Sequence, residues 1–389
     1  MEETLMNNKK VRILSVGIGG FANVYLQKML FEESDKFEIV GGVDVYPEGA
    51  KFYPDFCAKN IPIYADMEDF YREHEADLAI ITTPIHLHTK QMLTALEHGS
   101  NVMCEKPLSG VSTDAELVEK CAEKNGKFVI IGYQWSYSDA ILNLKSDILA
   151  GVYGKPVFLK TMILWPRKRD YFTRGTGWAG KLRAKDGTVI NDSVAANATA
   201  HYLHNMLFVC GEEGLAAEAK NIKADLIRVN NIENFDNTTI TFELECGAKC
   251  LFVAAHSTVS NHNPIFEYRF ENAIIKYDET TKQIIAYFND GTTKEYGSPF
   301  DGSDVKKIYR AIDGCNEEGY KPVCSAYTAA AHTRVIEAVQ QNPIYSVKEE
   351  YLEEKDNLIY IKDFVALLNK CYAEEIMLRD TEEFGNMVK

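Results

Sequence analysis

The stretch Val11-Arg12-Ile13-Leu14-Ser15-Val16-Gly17-Ile18-Gly19-Gly20-Phe21-Ala22 decides the fold. Its first six residues read as a buried strand, and a G-x-G-x-x-A turn follows at once. A helical pattern then runs over 21–31, with Val24, Met29 and Leu30 turned inward. In such a unit Gly17 makes the tight turn and Gly19 lets a pyrophosphate approach the backbone. Ala22 allows helix and strand to pack closely, and Gly20 and Phe21 stand at the helix start that faces the phosphates. A second strand over 37–43 ends at Asp44. A carboxylate there accepts hydrogen bonds from a ribose and repels a 2′-phosphate, and Val45-Tyr46 offer no arginine to hold that phosphate. NAD is therefore expected in preference to NADP. A glycine turn without a ligand is the plain alternative, and the strand, helix and acidic residue together argue against it.

Working outward, strands over 77–82, 101–104 and 128–131 alternate with helical patterns over 86–98 and 112–125. That rhythm predicts crossovers and a parallel, doubly wound sheet. After Gly132 it changes. A helix over 139–149 and a turn-rich link lead to a strand over 157–165, followed by a basic, glycine-bearing loop over 166–187. A helix over 194–209 precedes strands at 238–244, 249–255, 265–271, 273–277 and 283–288, a succession that means an antiparallel sheet. Helical patterns at 303–317, 325–341 and 358–377 close the chain. The expected architecture is α/β: an N-terminal Rossmann domain over 1–133 and a C-terminal α/β domain over 134–389, with 344–389 as an extension.

Composition narrows the partners. Asp and Glu number 57 against 42 Lys and Arg, a net charge of −15, which repels phosphate backbones and anionic lipid. Nucleic acid and membrane are not expected partners. The nine cysteines are scattered without a C-x-x-C pair, which fits a reducing cytoplasm. No stretch approaches the roughly 18 apolar residues of a membrane span. Met1–Lys10 lacks the apolar core of a signal peptide.

Two further segments fall just past strands, where parallel sheets bind ligands. They are Thr82-Thr83-Pro84-Ile85-His86-Leu87-His88 and Cys104-Glu105-Lys106-Pro107-Leu108. Proline biases Lys106 away from the α conformation. Taken alone, Glu105-Lys106 also reads as an exposed charge pair before a turn.

Together, the G-x-G-x-x-A turn, the T-P-x-H-x-H segment and the E-K-P segment resemble the Gfo/Idh/MocA family of oxidoreductases, in order and spacing. The resemblance extends more loosely to about residue 342. It implies a Rossmann domain followed by an α/β domain with an open, largely antiparallel sheet. It also implies NAD(P)-dependent dehydrogenase or reductase activity on sugars, cyclitols and related compounds, and Lys106 as the catalytic lysine. The cofactor contacts it implies are Gly17, Gly19, Gly20, Phe21, Ala22, Asp44, Thr83, Pro84, His88, Glu105, Lys106 and Gln134. Open sheets in the family pack face to face, so a homodimer or homotetramer is expected. The sequence departs from the family at Ile85, where many members carry Asn, and at Asn197, His201 and His204, where the usual order is Asp, His, Asp. Asp192, five residues before Asn197, is the nearest carboxylate on the N-terminal side.

The chemistry follows from those residues. Hydride transfer from a carbinol needs a base for the hydroxyl proton, and Lys106 near a cationic nicotinamide suits that task. His201 can share the proton or orient the hydroxyl. Substrate contacts are expected from Lys106, Trp165, Asn197, His201 and His204. The H-x-x-H pair lacks the further ligands of a zinc site, so no metal is expected. Either histidine also reads as structural, Asn191 and Asp192 also read as caps, and the loop bearing Trp165, Arg174 and Trp178 also reads as a solvated loop or subunit contact. The leading function is an NAD-dependent dehydrogenase or reductase of a sugar, sugar acid or inositol-like polyol. The alternatives are redox-neutral glycoside cleavage by transient oxidation and elimination, and a non-catalytic dinucleotide-binding regulator.

Overall fold

Six parallel strands make the first sheet: β1 (Val11–Val16), β2 (Phe37–Val43), β3 (Ile63–Tyr64), β4 (Leu78–Ile81), β5 (Asn101–Cys104) and β6 (Val129–Ile131). The structure is a computed structural model that describes residues 9–174 and 177–389. The polar segment before Lys9, and Gly175-Thr176 of the basic loop, lie outside the described residues. Helices α1 (Asn23–Met29), α2 (Tyr53–Ala58), α3 (Met67–Glu73), α4 (His88–Glu97) and α5 (Asp114–Lys124) connect the strands. The spatial order is β3-β2-β1-β4-β5-β6, so strand order reverses between β1 and β4. Gly17, Thr82 and Glu105 leave β1, β4 and β5 at the carboxyl edge beside that switch point, where open α/β sheets take their ligands. Every residue of β4 is buried, as expected of a strand covered on both faces.

Helix α6 (Asp139–Leu149) leads to β7 (Pro156–Leu164), a short helix α7 (Arg169–Thr173), a π-helical turn (Val194–Ala198) and α8 (Ala200–Val209). The expected helix over 194–209 is thus broken near Thr199. Strands β8 (Ala219–Arg228), β9 (Asn237–Leu244), β10 (Lys249–Ala255), β11 (His262–Phe270), β12 (Ala273–Tyr277), β13 (Ile284–Phe288) and β14 (Thr293–Gly297) follow. The nine-stranded order is β14-β13-β12-β11-β7-β10-β9-β8-β15, with β15 at Ile344–Ser346. Pairing is parallel for β7 with β10 and for β8 with β15, and antiparallel for the other neighbours.

The chain then returns to the first sheet. From α9 (Ser303–Gly314), Ile308, Ala311 and Ile312 join the buried cluster of β1, β4 and β5. From α10 (Ala326–Val339), Ala326, Ala329 and Ala330 join the same cluster, while Ala331, Val335 and Val339 pack into the second. Packing therefore crosses the boundary expected at 133/134. The alanine-rich α10 is narrow enough to lie between both bodies.

The last segment differs from its expected helix over 358–377. Strands β16 (Leu352–Lys355) and β17 (Leu358–Ile361) form a hairpin before α11 (Phe364–Glu374) and α12 (Glu382–Met387). Asp356 and Asn357 both have positive φ, the backbone demanded by a two-residue I′ turn and tolerated best by such side chains. Val347, Ile361, Phe364, Leu368, Cys371 and Leu378 share a third buried cluster with Met162, Leu164, Ile227, Leu251 and Val253 of the second sheet. One face of β7, β8 and β10 is thus covered by this chain's own C-terminal segment.

Candidate active site

The turn after β1 is built by backbone geometry. Gly17 has φ +81°, and a Cβ there would stand 2.9 Å from Thr82 Oγ1. The Thr82 hydroxyl donates to Gly17 O at 3.0 Å, locking the β1 turn to the end of β4. Gly20 also takes a positive φ, +57°, a demand that the motif did not assign to it. At Gly19 a Cβ would meet only Ala50, at 3.8 Å, so glycine there keeps a cradle clear. Ala22 is buried and Phe21 is exposed. Asp44 follows β2 directly; its carboxylate accepts from Ile18 N at 3.1 Å and Tyr46 N at 2.9 Å. Two carboxylate oxygens retain further acceptor capacity for a ribose diol. An open turn, glycine where a side chain would intrude and an acidic acceptor at the second strand fit a dinucleotide.

The other two loops are tied together by His88. Its Nδ1 lies 2.9 Å from Pro107 O and its Nε2 2.9 Å from Thr83 O. The ring is buried, and burial lowers its pKa. A neutral imidazole has one N–H, so His88, expected as a cofactor contact, donates to one of these carbonyls and sets its other nitrogen beside the second, wedged between the Thr83-Pro84 and Lys106-Pro107 loops. Thr83 is itself bonded to Gln91 through its hydroxyl.

Glu105 is not half of an exposed pair with Lys106. Its carboxylate is ion-paired with Lys307 of α9, whose side chain is fully buried. Lys307 Nζ also donates to Gly132 O at 3.2 Å and lies 5.0 Å from the centre of the Phe21 ring. Sequence reasoning missed Lys307. One signal was available: Lys307 falls on the buried stripe of α9 with Ile308 and Ala311, where a lysine requires a counter-charge.

Lys106 reaches across to the second domain. Its Nζ donates to Asn197 Oδ1 at 2.7 Å and to Asn197 O at 2.9 Å. Burial lowers its pKa to about 8, with Lys307 and Arg174 adding to the effect and Glu105 and Asp192 opposing it. Asn197 lies in the π-helical turn, which Ser193 caps by accepting from Ala196 N at 3.1 Å. His332 of α10 supports the same turn, with Nε2 3.1 Å from Ala195 O and Nδ1 2.9 Å from Tyr133 Oη. His201, one turn further on, is buried, and its Nδ1 has no hydrogen-bond partner among the described residues. Burial, followed by the charges of Lys106 and Lys307, holds its pKa well below the ordinary value, so the ring is neutral.

His204 separates from this group. Fully buried, it stacks on Tyr133 with ring centres 3.9 Å apart and faces Ser136 and Cys324. His204, expected as a substrate contact, thus lies among core residues. Asp192 is drawn into the site. Buried, it accepts from Gly180 N at 2.5 Å, and burial raises its pKa against that bond and the charges of Arg174 and Lys106. The Arg174 guanidinium sits 3.5 Å from the centre of the Tyr171 ring and 5.4 Å from that of Trp178. Trp165 packs edge-on against Tyr202, the neighbour of His201, and its Nε1 donates to Asn263 at 3.3 Å. Gln134 opens the short turn after β6 and is half-buried, while Trp135 beside it belongs to the second core.

Residues 11–133 match the Gfo/Idh/MocA family, described as an oxidoreductase family with an NAD-binding Rossmann fold. That stretch is about a third of the chain. The chain is 32% identical over 154 residues to an inositol 2-dehydrogenase of Rhodococcus jostii, covering 38% of this chain and 40% of that one. It is 29% identical over 145 residues to an inositol 2-dehydrogenase of Salmonella typhimurium, covering 37% and 43%. The chain thus spans about two-fifths of the length of these curated relatives. Across both domains the fold matches the WlbA dehydrogenase of Bordetella pertussis, solved with NADH and UDP-GlcNAcA. The TM-score is 0.69 at 17% identity, over 85% of this chain and 96% of that one. The matched stretch carries Asp44, Thr83 and Lys106, while Asn197, Asp192 and His201 lie outside it.

Proposed function

We propose that this chain is an NAD-dependent oxidoreductase acting on a hydroxyl-bearing carbon of a sugar, sugar acid or inositol-like polyol, with Lys106 moving the hydroxyl proton. The observation that carries this reading is the Lys106–Asn197 contact at the carboxyl edge of β5. Gly17, Gly19 and Asp44 would hold the dinucleotide, and Asp44 favours NAD over NADP. When bound, the nicotinamide supplies the acceptor or donor of hydride. A neutral amine has two N–H groups and one lone pair. Asn197 O and Oδ1 take both N–H groups of Lys106, so the lone pair is left for the substrate hydroxyl. With a pKa of about 8, Lys106 can accept that proton during oxidation and return it during reduction. Neutral His201 orients the same hydroxyl, and Asp192 with Arg174 offers a carboxylate and a guanidinium to the remaining polar groups of the substrate. The inositol 2-dehydrogenases among the relatives support the polyol class.

The test is Lys106→Met assayed on a panel of polyols and sugar acids. Turnover should fall by roughly a hundred- to ten-thousand-fold, the range for a lost proton-transfer group. NAD affinity, measured by calorimetry, should change little. Full turnover in the variant would overturn the assignment.

A further inference from the structure

A second cavity, of about 580 Å³, lies between α7, the segment after β8, β15 and the C-terminal hairpin. Its size is within the range that holds small organic ligands. Lys106, Asn197, Asp192 and His201 do not line it. Arg169 and Arg228 do, and no Asp or Glu is among the described lining residues. Arg228 has no carboxylate partner among the described residues, its guanidinium donating only to backbone carbonyls. Both cations are held in place. Arg169 pairs with Glu354 of the hairpin at 2.8 Å, and Arg228 Nη1 donates to Glu233 O at 3.2 Å. Ser346 adds a hydroxyl, and Phe172 and Leu352 supply apolar wall. Asn230, buried in the same lining, keeps an Oδ1 that accepts no hydrogen bond among the described residues.

The geometry points to a second ligand site here, for a hydroxylated organic anion such as a phosphorylated or carboxylated sugar. The Arg228 guanidinium, with Arg169 on the same lining, suits the planar or tetrahedral oxygens of the anionic head. The hydroxyl, amides and apolar wall suit a body that carries both C–H faces and O–H groups. The site exists only because the C-terminal segment folds back: Ser346, Leu352 and the partner of Arg169 all belong to it. Helix α7 forms one wall and runs directly into Arg174, beside Lys106, so a ligand that fixes α7 also fixes a cation of the catalytic cleft.

Calorimetry on the full chain tests the site, with glucose 6-phosphate, gluconate, glucose and inorganic phosphate as probes. One or both hydroxylated anions should bind, with glucose and inorganic phosphate at least tenfold weaker. The better of the two anions identifies a phosphate or a carboxylate head. Arg228→Gln should weaken binding tenfold or more, and Ser346→Phe, which fills the cavity, should do the same if Arg228→Gln fails to fold. Lys106→Met should leave binding unchanged. The site is refuted if no probe binds, if inorganic phosphate binds as tightly as the sugar anions, or if binding survives both cavity variants. Loss of binding in Lys106→Met would place the anion in the catalytic cleft and refute it equally.

Discussion

Lys106 Nζ donates to Asn197 Oδ1 at 2.7 Å, joining two residues 91 apart in sequence and carried by different sheets' helices and loops. One lies at the carboxyl edge of β5, the other in the π-helical turn before α8. The contact therefore joins the edge of the first sheet to the body of the second.

Asn197 should therefore tune the pH profile. As an acceptor it favours the ammonium, and Asn197→Ala should move the midpoint below about 8, while Asn197→Asp, placing a charge at the same distance, should move it upward. In the unaltered protein, oxidation should rise with pH through that midpoint and reduction should fall above it, because neutral Lys106 is the base and protonated Lys106 the acid. Steady-state rates in both directions between pH 6 and 10 check this. A profile identical in all three proteins would contradict it.

The Glu105–Lys307 pair is buried on both sides, so breaking it from one end leaves an uncompensated charge. Lys307→Met should cost about 3–5 kcal/mol of stability. The double variant Glu105→Gln with Lys307→Met should regain most of it. Denaturant unfolding of the three proteins measures both numbers, and an additive loss in the double variant would exclude the pairing.

Asp44→Ala should narrow the preference for NAD over NADP. Because its carboxylate also accepts from Ile18 N and Tyr46 N, the variant should loosen the glycine turn and weaken NAD itself. Calorimetry with both dinucleotides reads the two effects. Equal affinities in the unaltered protein would end the assignment.

Removal of residues 345–389 should uncover Met162, Leu164, Ile227, Leu251 and Val253. An apolar sheet face of that kind seeks another partner. The shortened chain should lose thermal stability and self-associate, seen as a larger mass by light scattering. An unchanged mass and melting temperature would show the segment to be dispensable for packing.

The sequence by itself determined the parallel sheet, the glycine turn, Asp44 and the position of Lys106. Each is announced by a pattern that is local in the chain: a strand that ends at Gly17, alternating strands and helices, and a carboxylate at the end of β2. It also named Asn197 and His201 as site residues. Only the tertiary structure decided which charges meet. Lys307 lies 202 residues from Glu105, yet α9 returns across the first sheet and pairs them. His88 and His204 show the same limit. A short motif shows that a histidine is present, whereas its role depends on what surrounds the ring. Two backbone carbonyls claim His88, and the Tyr133 face claims His204. The C-terminal segment is the largest case. Its apolar positions, such as Phe364, Leu367 and Leu368, need a partner, and nothing local says that the partner is a face of its own second sheet, because burying that face depends on long-range packing rather than on spacing along the chain.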